Sequence, residues 1–559
     1  MRSMQNESFA ALVVHFTHRF FDTDTPSEES VPRNRLIQAL ALIFVASPVL
    51  MVFVVRGEQS IQVQLGSFDF AWWWTGMHYT LVCFAMVVMG LVMTLKWDSL
   101  FPDRRDYLIL TPLPISARRL FLAKAVAVGV ILFLFAFATN AVLIVMVGFM
   151  DPRAFVGHVV AVMGASVFAI LFFLALQGIL INLLPSSAFS RVSPALQTVA
   201  IALLITLLLV LPLVAVSLRP LVLMSSTLLD CFPPVWFLGI YELLAPSNAP
   251  ISKLTMWAGR AVTMTALMAL LVVLSYGLGY RRHSRRVLET VDASNRIPRI
   301  QAGTGILHFV LGTNAFQRAA FDFIGKISGR SSTHRISAAM YSGLGIALAL
   351  SSLFVIDRRE AFPIRLSATG VLEAPAILSF LLVAGWRSTF GIPYELAANW
   401  VFQMTSRSGA ADFRKAIRKW LFVCRVVPLY VLVAGFEFAL FETGIAVTHL
   451  LFDLIATAFL IEALFFDFRK VPFTCTYLQN KLQLGFYAIV YLFAYTTYTS
   501  LIGDLKRWVS ADTQNLVRFA AISILGFGGI LIYRSLTGAE RSKFTYDDRE
   551  PVHQQLDLS

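Results

Sequence analysis

The chain has 559 residues, of which 57% are hydrophobic and only 14% are charged. Soluble domains carry roughly 25% charged residues, so this composition, with a mean hydropathy of +0.71, excludes an ordinary soluble protein. The net charge of +13 is informative here only through the distribution of Lys and Arg among loops, and we expect no nucleic-acid partner. The four cysteines have no paired spacing, which predicts neither a metal site nor a disulfide framework.

The first segment, residues 1–35, is predicted to lie in the cytoplasm. It lacks the short apolar core and the small-residue cleavage site of a signal peptide. Instead, four apolar side chains recur at helical spacing: Phe9, Val13, Phe16 and Phe20. This pattern predicts an amphipathic helix in the plane of the membrane interface.

Apolar runs of about 20 residues, the length of one helical crossing, follow in two sets of six. The first set is predicted near residues 36–55, 71–95, 122–149, 155–183, 196–217 and 256–280. The second set is predicted near residues 337–356, 370–386, 421–441, 445–466, 484–503 and 513–533. The expected fold is an all-α polytopic membrane protein of about twelve transmembrane helices, arranged as two six-helix repeats.

The domain boundaries follow from these runs. The expected order is a six-helix unit, a basic cytoplasmic linker with a second interfacial helix, another six-helix unit and a cytoplasmic tail, at residues 36–280, 281–336, 337–534 and 535–559. Most of the 46 Lys and Arg residues fall in the termini and the even-numbered loops. Because such residues gather on the cytoplasmic side, both termini are predicted to be cytoplasmic, in a bacterial inner membrane.

The loop between the second and third spans, FPDRRDYLILTPLPISARRLFLAK at residues 101–124, is too charged to enter hydrocarbon. Pro112 and Pro114 interrupt its backbone, and Ser116 could cap a helix that runs into the third span. One interpretation is a short rigid segment that docks a separate motor protein. The other is an ordinary basic loop that anchors the orientation of the chain.

The second unit has a comparable loop at residues 393–420, where Arg414, Lys415 and Arg418 are predicted on one helix. One external stretch, residues 220–250, is too apolar for a solvated loop and too broken by proline for two full crossings. It could form re-entrant half-helices buried in protein or an interfacial segment.

Polar residues within spans are costly and therefore candidates for function. His449 and Asp453 lie four residues apart on one predicted helical face, and Arg425 on the preceding helix could pair with Asp453 or Glu462. Glu437 lies in the same span as Arg425. A proton or ion relay and a structural salt bridge between helices both fit this pattern.

No phosphate-binding loop, HExxH, CxxC or G-x-S-x-G string occurs in the chain. We therefore expect no ATPase site and no catalytic site, and no cofactor bound by this chain.

Three of these features together resemble the permease subunits of ABC-2 type ATP-binding-cassette exporters: the amphipathic helix before the first span, the segment YLILTPLPISARRLFLAK, and the broken apolar loop between spans five and six. The resemblance implies export of an unidentified, lipid-like or amphipathic substrate through a path enclosed by two six-span units. It implies two cytoplasmic ATPase subunits as partners, with ATP and Mg bound there, and membrane lipid around the chain.

The resemblance also implies which residues contact the ATPase. In the first unit these are Asp103, Arg104, Arg105, Leu113, Pro114, Ile115, Ser116, Arg118 and Arg119. In the second unit, which lacks the Leu-Pro-Ile-Ser string, they are Arg414, Lys415 and Arg418. Two other classes compete with this interpretation: an ion-coupled secondary transporter, which also commonly has twelve spans in two halves, and a membrane-embedded transferase.

Overall fold

The structure is a computed structural model. It describes residues 2–21, 40–52 (except 42, 46 and 50), 56, 70–97, 115–216, 218–223, 227–246, 251–293, 314–356, 364–394, 410–466, 468, 471–474 and 481–537. The chain divides into two compact units, residues 1–298 with 356–364 and residues 299–355 with 365–559. Each unit is described by itself.

Within these residues, nine helices are long and apolar enough to cross a membrane, which identifies an all-α integral membrane protein. The helices of the first unit are α1 (Arg2–Phe21), α2 (Phe70–Leu95), α3 (Ala117–Met150), α4 (Ala154–Leu183), α5 (Ser186–Val216), α6 (Leu218–Leu223), α7 (Thr227–Asp230), α8 (Pro233–Leu244) and α9 (Leu254–Ala293). Those of the second are α10 (Ala315–Arg330), α11 (Ser332–Leu353), α12 (Ala368–Phe390), α13 (Ala410–Leu421), α14 (Val427–Leu440), α15 (Thr443–Leu464), α16 (Lys481–Ala511) and α17 (Thr513–Thr537). Two short paired strands, β1 (Phe354–Ile356) and β2 (Ile364–Leu366), connect α11 to α12.

Most helices lie where the apolar runs predicted them, and three regions differ. The predicted span at 36–55 falls largely outside the described residues. α16 and α17 occupy the positions predicted for the last two spans, and α17 contains a shorter apolar stretch at residues 514–530. α9 continues to Ala293, well past the predicted start of the linker at 281, so the basic string after the span extends the same helix.

One helix is central in each unit. In the most apolar part of α2, 72% of residues are buried, and the same share is buried in α12, whereas only 6% are buried in α9. α2 packs against α4, α5 and α8, and α12 packs against α11, α15 and α16. Such differences place α2 and α12 inside their helix bundles and leave most of α9 to face outward, as expected of a helix in contact with lipid.

A π-helical turn at Phe422–Val426 joins α13 to α14, in which the Val427 amide donates to the Phe422 carbonyl. Together α13, this turn and α14 form one long apolar stretch, Asp412–Leu440. Wide turns of this kind insert one extra residue into a helix and often occur at functional sites.

Candidate functional site

The predicted ATPase-contacting loop of the first unit is described only from its last residues onward. Asp103, Arg104, Arg105, Leu113 and Pro114 lie outside the described residues. The Ser116 hydroxyl accepts a hydrogen bond from the Arg119 amide at 3.4 Å, so the serine caps α3 as its sequence position predicted. Ile115 is half-buried, and Ser116, Arg118 and Arg119 are exposed. The start of α3 therefore presents two cations to its surroundings.

The amphipathic helix α1 packs against this same end of α3. Phe16 is fully buried among Leu120, Ala123 and Ala127. The Lys124 ammonium lies 5.1 Å from the centre of the Phe16 ring, a favourable cation–π arrangement. α1 is thus held in place beside the exposed arginines.

Beyond the end of α2, Lys96 makes a further connection to α1. Its ammonium donates to the Phe20 carbonyl at 3.2 Å and lies 5.3 Å from the Phe20 ring centre. Burial lowers the pKa of Lys96, because a partly enclosed ammonium has lost part of its hydration.

In the second unit, α10 packs against α13 in a comparable way. The Gln317 amide donates to Asp412 Oδ1 at 2.8 Å and its oxygen accepts from the Lys419 ammonium at 3.2 Å. Phe316 meets Phe413 edge to face. Both ends of α13 are thereby bonded to α10.

The arginines of α13 do not form the exposed surface that the sequence predicted. Arg414 is buried, and Arg418 Nε lies 3.4 Å from Glu462 Oε2 on α15 in a largely enclosed ion pair. Only Lys415 of the three predicted contacts is exposed. The amphipathic pattern placed these residues on one helix correctly, but the helix turns two of them toward other helices.

The predicted pairing of Arg425 was wrong. Its guanidinium carbon lies 4.3 Å from the ring centre of Trp386 and 4.9 Å from that of Trp420. Glu462 pairs with Arg418, and Asp453 with a lysine of α16. A guanidinium stacks favourably on flat indole rings, so aromatic contacts take the place of the predicted carboxylate.

Four ionisable side chains meet inside the second unit and form what we call the buried charge cluster: Glu437 of α14, His449 and Asp453 of α15, and Lys506 of α16. Each is at most 2% exposed. The Lys506 ammonium lies 2.8 Å from Asp453 Oδ2 and 3.2 Å from Glu437 Oε1. The other oxygen of Glu437, Oε2, lies 3.1 Å from His449 Nδ1.

A serine connects the buried charge cluster to the surface of the unit. The second ring nitrogen of the histidine, His449 Nε2, lies 3.0 Å from Ser510 Oγ. Ser510 is exposed and stands in the last turn of α16. The exposed side of the cluster therefore lies near the C-terminal ends of α14 and α16 and the N-terminal end of α15.

Sequence reasoning found three of the four members of this cluster. The spacing of His449 and Asp453 predicted their common face, and Glu437 was recognised as a polar residue in a span. Lys506 was missed because the predicted span ended at residue 503, whereas α16 continues to Ala511. The four-residue spacing of Lys506 and Ser510, which matches that of His449 and Asp453, was the available signal.

The first unit contains a different polar group around α8. His78 stacks on Tyr241 with ring centres 3.8 Å apart and meets His158 edge to face. Trp74 Nε1 donates to the Tyr241 hydroxyl at 2.9 Å, and the Thr75 hydroxyl donates to Glu242 Oε1 at 2.8 Å. These contacts fix α8 against α2 and α4.

The stretch at residues 220–250, which the sequence predicted to be external, contains most of α6 and all of α7 and α8, as its broken apolar composition suggested. Asp230 ends α7 and accepts hydrogen bonds from Trp257 Nε1 at 2.9 Å and from the Lys253 ammonium at 3.0 Å. The Trp257 bond and then the Lys253 bond lower the pKa of Asp230. This carboxylate ties α7 to the start of α9.

Among the residues that the structure describes, no three His, Cys, Asp or Glu side chains are grouped as a metal site requires. No family model, no curated protein and no solved structure matches the chain.

Proposed function

We propose that this chain is the permease subunit of an ATP-binding-cassette exporter of the ABC-2 type. In this proposal the chain encloses the path of an unidentified lipid-like or amphipathic substrate. Two cytoplasmic ATPase subunits bind the ATP and Mg and dock on its inner face. Docking of this kind needs an element that is rigidly attached to the membrane helices, because a loose loop cannot transmit movement of the motor.

The observation that carries the proposal is the end of α3. There, a capped helix start with two exposed arginines, Arg118 and Arg119, lies beside a docked amphipathic helix. The continuous helix from Ala117 to Met150 would transmit a push at this end along a whole membrane span. An ordinary solvated loop has no need of a buried Phe16 or of a lysine enclosed against it.

We also infer that the two units are diverged copies with twelve spans in total. Two likenesses support this. The amphipathic helix that precedes the first span packs against the third span in each unit, as α1 against α3 and α10 against α13. The second span of each unit packs against the fourth and fifth, as α2 against α4 and α5 and α12 against α15 and α16.

A binding assay tests the proposal. We expect the full-length chain to co-purify with a soluble ATPase, and replacement of both Arg118 and Arg119 by Glu to abolish that association. Arg153 is a matched control, because it is also an exposed arginine but lies just beyond the opposite end of α3; Arg153→Glu should leave the association intact. Equal recovery of the ATPase with the double variant, or an equal loss with the control, would contradict the docking surface.

The buried charge cluster favours a second candidate, an ion-coupled secondary transporter, since ionisable groups inside spans commonly mark ion paths. A membrane-embedded transferase has less support, because Asp453 and Glu462 are each engaged in an ion pair. Transport of a fluorescent phospholipid analogue into inverted vesicles separates the first two. We expect transport to require ATP and to persist when an uncoupler collapses the proton gradient; the opposite pattern would identify a secondary transporter.

A further inference from the structure

The hydrogen bonds of the buried charge cluster define where its protons lie. The Ser510 hydroxyl donates to the Lys506 carbonyl at 2.8 Å, so its single hydrogen is used there. Ser510 Oγ therefore faces His449 Nε2 as an acceptor, and that nitrogen carries a hydrogen. On the other side of the ring, His449 Nδ1 faces a carboxylate oxygen of Glu437, which is also an acceptor when ionised.

Both nitrogens of His449 thus face acceptors, which a neutral imidazole with one hydrogen cannot satisfy. Two proton arrangements solve this: an imidazolium beside an ionised Glu437, or a neutral imidazole beside a protonated Glu437. The two arrangements contain the same number of protons. The pair therefore holds one proton more than a neutral histidine and an ionised glutamate would.

The charge balance of the cluster also favours one extra proton. Two ionised carboxylates, Glu437 and Asp453, face one ammonium, Lys506, so without that proton the enclosed groups sum to one negative charge. Burial of an uncompensated charge is strongly destabilising. Asp453 Oδ1 is buried and has no hydrogen-bond partner, which makes an excess of negative charge at this place still less favourable.

Among the side chains that the structure describes, the charged residues on neighbouring helices do not supply the missing positive charge. On α12, Glu373 lies against Gly503 of α16, and on α17, Arg518 donates to Asn515. Arg425 of the π-helical turn lies over two tryptophan rings, and Arg507 of α16 pairs with Asp504.

We propose that Glu437 and His449 form a binding site for one proton, filled from the exposed Ser510 side, which completes the charge balance of the buried cluster and thereby holds α14, α15 and α16 together. The ligand is a proton rather than a metal ion, because Lys506 already occupies the space between the two carboxylates. This site is independent of the proposed ATPase partner and exists in the isolated chain.

The proposed proton site determines whether the stability of the folded protein rises or falls with pH. A histidine in an unfolded chain loses its proton at about pH 6.5, whereas the proposed site keeps one proton through its hydrogen bonds in the folded cluster. Above that pH the folded state binds more protons than the unfolded state, so stability falls as pH rises. The wild-type chain in detergent should therefore lose thermal stability as the pH rises above about 6.5.

Three variants test the site through thermal unfolding curves across that pH range. His449→Gln removes the proton acceptor and leaves an unbalanced carboxylate, so we expect a Tm lowered by roughly 5–15 °C at mildly acidic pH and little remaining pH dependence. Glu437→Gln should also weaken the pH dependence, but it should lower the Tm by less than His449→Gln does. The double variant, Glu437→Gln with His449→Gln, is electrically balanced by Asp453 and Lys506 and should regain most of the lost Tm.

The control is His158→Gln, which replaces a buried histidine of the first unit that meets another histidine ring and no carboxylate. Above about pH 6.5 its pH dependence should match that of the wild type, because a histidine in the unfolded chain is then neutral as well. Parallel curves for the wild type and His449→Gln would overturn the proposal. So would a double variant no more stable than His449→Gln, including one that does not fold, because the charge balance predicts recovery. The wild-type curve is an independent check, and a Tm that does not fall with rising pH would also refute the site.

Discussion

At the scale of single residues, Lys506 is the charge on which the buried cluster depends. It is fully enclosed and bonds to carboxylates on two different helices, Asp453 of α15 and Glu437 of α14. Net stabilisation by a buried ion pair over apolar packing is often small, but removal of one partner leaves the other charge without compensation. Removal of Lys506 should therefore lower the free energy of unfolding by more than the net contribution of its two ion pairs.

We expect Lys506→Met to destabilise the protein by about 3–5 kcal/mol, because the buried Asp453 carboxylate would lose the cation that balances its charge. Arg507→Met is the matched control at the adjacent position. The side chain of Arg507 is 52% exposed and pairs with Asp504, whose side chain is 73% exposed, so loss of Arg507 should change stability by less than about 1 kcal/mol. Thermal or denaturant unfolding in detergent measures both. Similar losses in the two variants would show that Lys506 has no special electrostatic role.

The cluster also indicates how far sequence reasoning extends at this scale. The pair His449 and Asp453 was predictable because a helix aligns residues four apart. The partners of Arg425 and Arg418 were not, since a helical pattern defines which face a residue occupies but not which neighbour that face meets. Both acidic residues predicted for Arg425 found other cations, and aromatic rings took their place.

At the scale of helices, the contact between α8 and α9 is set by a glycine. A Cβ added to Gly239 of α8 would lie 2.8 Å from the Trp257 Cβ and 3.0 Å from backbone atoms of Leu254 and Ala258. Backbone atoms cannot move aside as a flexible side chain can. The close approach of the two helices therefore needs a residue without a side chain at this position.

Gly239→Ala should cost about 1–3 kcal/mol, because it forces α8 away from α9. Gly259 provides the control within α9, since a Cβ there meets nothing within 4 Å. Gly259→Ala should be neutral or should stabilise the helix by about 0.5–1 kcal/mol. Unfolding midpoints of the two variants test this prediction. Equal shifts in the same direction would show that the close approach of α8 and α9 does not require a glycine at position 239.

At the scale of the whole molecule, the apolar runs predicted the all-helical class and the positions of most long helices. They predicted least well where a helix continued past its apolar part. α9 and α16 both extend well beyond their predicted spans, because Arg and Lys residues end an apolar run without ending a helix. The hydropathy pattern also did not predict strands β1 and β2, because each is only three residues long.

The native cysteines provide a test of orientation. Cys231 is exposed beside α7, in the stretch predicted to be external, whereas Cys83 is buried and Cys424 is half-buried. A membrane-impermeant maleimide added to intact cells should label the chain once, because the loop that carries the fourth cysteine, Cys475, is predicted to be cytoplasmic. Cys231→Ser should abolish that label. Labelling of Cys231 only after the membrane is permeabilised would invert the predicted topology. Cys83→Ser is the control and should leave labelling unchanged.

The π-helical turn at Phe422–Val426 has a consequence for a residue well beyond it. One extra residue rotates the rest of a helix by about 100° about its axis. Every side chain after the turn therefore points in a different direction than it would in a uniform α-helix. Glu437 follows the turn by about three helical turns and points at His449 only with that rotation. Deletion of one residue from the turn would let the helix wind uniformly and would rotate the Glu437 carboxylate out of the cluster. The π-helical turn, which packs against two tryptophans, therefore determines the direction in which a carboxylate three turns away points.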